Sequence, residues 1–168
     1  MTTFSLADYF GGERNAGVAL TLIGVASAVA ATWLLGARGP LAAMAWPLAL
    51  GALLGLGVGT GMAFNAHREL TQRPTTTTQT IVALDAKLVG QARTYRGATR
   101  VELALIVLAA LLILGLPGAT TFRALLIGVL VEGSAFLCFD TFGLSRATRR
   151  LEQLRASLAV PASERRPT

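Results

Sequence analysis

The chain has 168 residues, of which 53% are hydrophobic and only 14% charged, well below the roughly 25% charge of ordinary soluble domains. This composition leaves no room for a large soluble domain and predicts one membrane domain over residues 1–168, with the lipid bilayer as its surroundings. The net charge of +6 does not indicate nucleic acid as a partner, because the arginines flank apolar segments and do not cluster with exposed aromatics.

Residues 2–12 place Phe4, Leu6, Tyr9 and Phe10 among polar residues, a pattern that reads either as a short interfacial helix ended by Gly11-Gly12 or as a frayed terminus. No basic leader precedes them, so no cleavable signal is expected and the first span itself would direct insertion. That span, residues 16–36, carries no charge over the ~20 residues that a ~30 Å hydrocarbon core requires. Gly24, Ala28, Thr32 and Gly36 recur at a spacing of four, a stripe that would let another helix approach closely. Trp33 marks an interface, and the turn Ala37-Arg38-Gly39-Pro40 leads directly into the next span.

The second span, residues 41–66, begins near Trp46 and Pro47, the latter early enough not to kink the helix. Gly51, Gly55 and Gly59 form two overlapping G-x-x-x-G units, and Gly57 with Gly61 forms a third on what reads as an adjoining face. In lipid, helices associate through close packing, so these glycines and Gly24 are predicted packing positions, within the chain or between chains. Asn65, His67, Arg68 and Glu69 follow as the helix leaves the membrane. The lone histidine excludes a bis-His haem or a His-rich metal site.

Pro74 and Thr75 to Thr78 read as a turn with a threonine N-cap. Residues 79–100 then form an amphipathic helix, with Ile81, Leu84, Leu88, Ala92 and Tyr95 on one stripe. This helix is expected to stand up as an extension of the third span, residues 101–117, which reads as short and chemically silent. The fourth span, residues 122–143, is followed by a helix over 144–158. There Leu144, Leu151 and Leu158 repeat every seven residues and Leu154 fills the intermediate position, a coiled-coil-like stripe. Its expected mate is the Ile81, Leu84 and Leu88 stripe, in an antiparallel stalk. Residues 160–168 read as a polar, disordered tail.

The fourth span carries the sharpest chemical signal, the carboxylate Glu132 near its middle. A charged side chain at that depth costs roughly 2.5–3.5 kcal/mol, so it must face protein or a watery cavity. Asp140 follows about 80° round the same helix and about 12 Å along it. Arg68, Arg73, Lys87, Arg93, Arg96 and Arg100 lie between spans two and three, and a second arginine cluster follows span four. The positive-inside rule therefore predicts both termini and the long loop in the cytoplasm, and the membrane expected is a bacterial inner membrane. Counting depth at about 1.5 Å per residue brings Glu132 level with Ser27 and with Gly51 to Gly55, and Asp140 level with Thr21 and Thr60.

The predicted fold is all-α, a polytopic four-transmembrane-helix bundle of two hairpins with cytoplasmic helical extensions. Two functional readings follow. One is a small interaction protein, an accessory subunit or an immunity or regulatory partner, that assembles with itself or another membrane protein through its glycine faces and stalk. The other is an oligomeric ion- or proton-coupled channel or transporter using Glu132, with Asp140, Ser27 and Thr60. An enzyme is not expected, because H-E-x-x-H, G-x-S-x-G and Cys/His pairs are missing from the sequence. With one cysteine, Cys138, the sequence predicts no intrachain disulfide, and it points to neither metal nor cofactor.

Overall fold

The computed structural model describes residues 6–71, 78–116, 118 and 120–159, with side chains described over 7–71, 82–116, 118 and 120–156. These residues are almost entirely helical: α1 (Leu6–Leu35), a short 3₁₀ helix (Gly39–Met44), α2 (Ala45–Thr71), α3 (Thr78–Gly115) and α4 (Thr120–Ala159). All four α-helices are long and apolar enough to cross a membrane. Their lengths of 30, 27, 38 and 40 residues correspond to about 40–60 Å, beyond the ~30 Å of a hydrocarbon core. Gly39 and Gly118, at φ +79° and +96°, adopt the left-handed backbone that turns the chain at the two short connections.

Helix α1 packs along α2, and α3 along α4. The first contact is backbone on backbone. A Cβ on Gly17 would meet Gly59 and Ala63, and one on Gly24 would meet Ala52, Gly55 and Leu56, at 2.5–3.1 Å. As the residue number rises in α1 it falls in α2, so the two chains run in opposite directions. From Gly17 onward the buried positions on α1 are Gly17, Leu20, Gly24, Ser27, Ala31 and Leu34, alternating steps of three and four that follow one helix face. The expected stripe at a strict spacing of four departs from this face: Thr32 and Gly36 are exposed.

Two further expectations are corrected. Gly11-Gly12 does not end a helix, since α1 runs unbroken from Leu6, and side chains of α4 close over this part of it. Arg146 donates to the Gly12 carbonyl at 3.3 Å and Arg150 to that of Asp8 at 3.2 Å. Gly61 does not pack within the chain, because a Cβ added there, or at Gly57, meets nothing within 4 Å. A two-residue step turns a helix by about 200°, so Gly57 and Gly61 point away from the face of Gly55 and Gly59.

Helix α3 shows no break at Gly97. Its most hydrophobic stretch is only 6% buried, which places it at the rim of the bundle with its apolar surface outward. At the far ends of α3 and α4, Leu84, Leu88 and Leu154 form a core with Tyr9 and Phe10 of α1, and Leu151 packs against it. Arg155 bonds Asp85 at 3.0 Å across the same pair of helices. Leu144 is half-buried and outside that core. Ile81 and Leu158 lie outside the described side chains, and Pro74 to Thr77 and the tail 160–168 lie outside the described residues.

The packing makes a direct prediction. Gly59→Ala should lower stability by about 1–3 kcal/mol, the usual cost of overpacking, whereas Gly61→Ala should leave it unchanged. Denaturant unfolding of both variants in one detergent checks this, and equal losses would contradict the α1–α2 contact.

Candidate functional site

The α1–α2 glycine contact carries one residue pair further, to Ser27 opposite Gly51, and there it opens a slot. Glu132 of α4 fills it. The Ser27 hydroxyl donates to the Glu132 carboxyl, with its Oγ 3.0 Å from Oε1 and 2.9 Å from Oε2. The carboxyl lies directly against Gly51, in the space that any Cβ there would take. Glu132 and Ser27 are each 7% exposed and are the two buried polar residues among those described. One turn earlier on α4, Gly128 rests on the Met44 carbonyl and the Pro47 ring. Helix α4 therefore reaches the α1–α2 pair by removing side chains at Gly128 and Gly51 and inserting one at Glu132.

Asp140 occupies a different site. It neighbours Glu102 of α3. No donor reaches the buried Glu102 Oε2. The hydroxyls expected at this depth are engaged elsewhere: Thr21 donates to the Gly17 carbonyl at 2.8 Å, and the exposed Thr60 to that of Leu56 at 2.6 Å. Thr60 is thus corrected as a partner of the acids, its hydroxyl being bound within its own helix. The third span is not chemically silent, since Glu102 stands inside its first turn. Glu102 and Asp140 meet because α3 and α4 pack along one another.

Between the Glu132 slot and the Tyr9–Leu88–Leu154 core, the two helix pairs separate. They enclose a cavity of about 760 Å³ lined by all four helices. Leu54, Val58, Met62, Phe136 and Phe139 make its apolar part, Asp140 and Tyr95 lie in its wall, and Arg68, Glu69, Lys87 and Gln91 line it toward the end of α2 and the start of α3. A polar network closes it on the α1 side. Gln91 donates to Glu13 at 3.1 Å, Tyr9 donates to Gln91 at 3.4 Å, and Arg150 pairs with Glu13 at 3.6 Å while lying over the Tyr9 ring. Among the described residues the backbones of α2 and α3 do not approach closely, while Leu70 of α2 packs against the core that holds Leu84 and Leu88 of α3.

The site therefore gathers Glu132, Ser27 and Gly51 at one point and Asp140 with Glu102 at another, and it leaves Thr60 out. Glu13, Gln91 and Arg150 were not singled out from the sequence; the signal for Glu13 was a charge within the first turns of an otherwise apolar helix. Among the described residues no group of three or more His, Cys, Asp or Glu side chains is placed to hold a metal. His67 and Cys138 are exposed. No protein-family model, curated protein or solved structure matches the chain.

The slot predicts an interaction between variants. Gly51→Ala should expel the Glu132 carboxyl and cost about 1–3 kcal/mol, and the same change should be nearly neutral on a Glu132→Ala background. Unfolding of the three variants in detergent measures this; an equal cost on both backgrounds would show that the carboxyl does not occupy the slot.

Proposed function

We propose that the protein is a small integral membrane interaction protein, an accessory subunit or an immunity or regulatory partner, acting by binding rather than by catalysis. The observation that carries this reading is the core near the helix ends, where Tyr9, Leu88 and Leu154 are 1%, 0% and 2% exposed. Residues of all four helices meet there, with Leu70 of α2 packed against the core. Gly24, Gly51, Gly55 and Gly59 serve packing within the chain, which leaves the open face of Gly57 and Gly61 for a partner helix. The partner is another membrane protein or a second copy. We place the chain in a bacterial inner membrane as two hairpins, with both termini and the antiparallel stalk of α3 and α4 in the cytoplasm; the Arg and Lys residues gathered at that end support this orientation.

The reading is tested by crosslinking and by capture. Cysteines at Leu84 and Leu154 should form a bridge in cells, reached only by reagents that enter the cytoplasm. Gly57→Leu with Gly61→Leu should abolish co-purification of the partner, at least about tenfold, because bulk on a small-residue face prevents close approach. Recovery unchanged in that double variant would remove the glycine face from the interface.

One observation favours the alternative, an oligomeric ion- or proton-coupled channel or transporter. The Glu102–Asp140 pair adjoins the cavity, and intramembrane acids mark ion pathways by default. Against it, Glu132 is closed in by Ser27 and Gly51. Glu132→Gln keeps the size and hydrogen-bonding capacity of the side chain while removing its titratable proton. In the interaction reading this variant assembles and binds its partner normally and reconstituted vesicles show no flux; a proton or cation flux lost specifically in Glu132→Gln would establish the alternative.

A further inference from the structure

We propose that the cavity between the two helix pairs holds an anionic phospholipid drawn from the bilayer, its phosphate between Lys87 and Arg68 and its acyl portion along Leu54, Val58, Met62, Phe136 and Phe139. The inference goes beyond the interaction reading and does not depend on it.

Helices α2 and α3 both line the cavity, and their backbones do not approach one another closely. The lining changes from aliphatic and aromatic at Leu54, Val58 and Phe136 to charged at Arg68, Glu69 and Lys87, the polarity order of one amphiphile.

Charge selects the headgroup. Glu13 is already bound by Arg150 and Gln91, and Asp140 lies deeper, near Tyr95, which is about 12 Å along α3 from Lys87 at 1.5 Å per residue. Lys87 stands 5.7 Å from the centroids of the Tyr9 and Phe10 rings, and Arg68 is exposed at the end of α2. Those two cations outnumber Glu69, the remaining acid at the mouth. Basic pockets between membrane helices on the cytoplasmic side are suited to anionic headgroups.

The test is native mass spectrometry of the full chain in mild detergent, titrated with phosphatidylglycerol, phosphatidylcholine or glycerol 3-phosphate. Phosphatidylglycerol should be retained in preference to phosphatidylcholine, and glycerol 3-phosphate without chains should not compete. Lys87→Ala with Arg68→Ala should weaken binding at least about tenfold, from the contribution of two juxtamembrane cations. Both side chains are exposed, so the helical circular dichroism should be unchanged. Val58→Trp, filling the apolar part with both cations intact, should also displace the lipid. Equal retention of the two lipids, binding unaltered in both variants, competition by glycerol 3-phosphate, or a second polypeptide in place of lipid would each overturn the proposal.

Discussion

A carboxyl group in the middle of an apolar helix must be met by a donor and shielded from lipid, and the bond from Ser27 to Glu132 does both. It ties α4 to α1, and it depends on α2 as well, because the space Glu132 occupies exists only while residue 51 has no side chain. The same glycine face that brings α1 onto α2 backbone to backbone thus ends in a slot for the third partner. Packing and polar satisfaction are here one feature of sequence, read at successive turns of a helix.

The rest of the architecture follows from where that junction lies. The helix pairs are fastened at the Glu132 slot and again at the core of Tyr9, Phe10, Leu84, Leu88 and Leu154. Between these points α4 leans away from α2, and the separation is the cavity. Held at both ends, it is a fixed feature of the bundle and not a looseness of packing. Helix α3 runs along α4, meets α1 through the core of Leu84 and Leu88 with Tyr9 and Phe10, and contributes one wall of the cavity.

The sequence disclosed the four long apolar helices through composition and span length, and depth counting placed Ser27 beside Glu132, where the hydrogen bond is found. Periodicity also put Leu84, Leu88 and Leu154 on facing stripes. What it did not reveal depends on direction round a helix. Gly57 and Gly61 share the spacing of the packed glycines but point about 200° away. Glu102 sits at the edge of an apolar run, where a charge reads as a boundary, and only the pairing of α3 with α4 turns it toward Asp140. The N-terminal turns of α1 looked separable at Gly11-Gly12, yet the arginines that bind there, Arg146 and Arg150, are more than 130 residues away in the chain. Contacts of that range leave no local pattern.

The measurement that bears most directly on this account is a double-mutant cycle between Ser27 and Glu132, using Ser27→Ala and Glu132→Leu singly and together, with unfolding followed in a bilayer-like detergent. A bond that joins the two helix pairs should give a favourable coupling of about 0.6–1.7 kcal/mol, the range of hydrogen bonds measured between membrane helices. Strictly additive losses would contradict it, and Glu132 would then not be what holds α4 to α1 and α2.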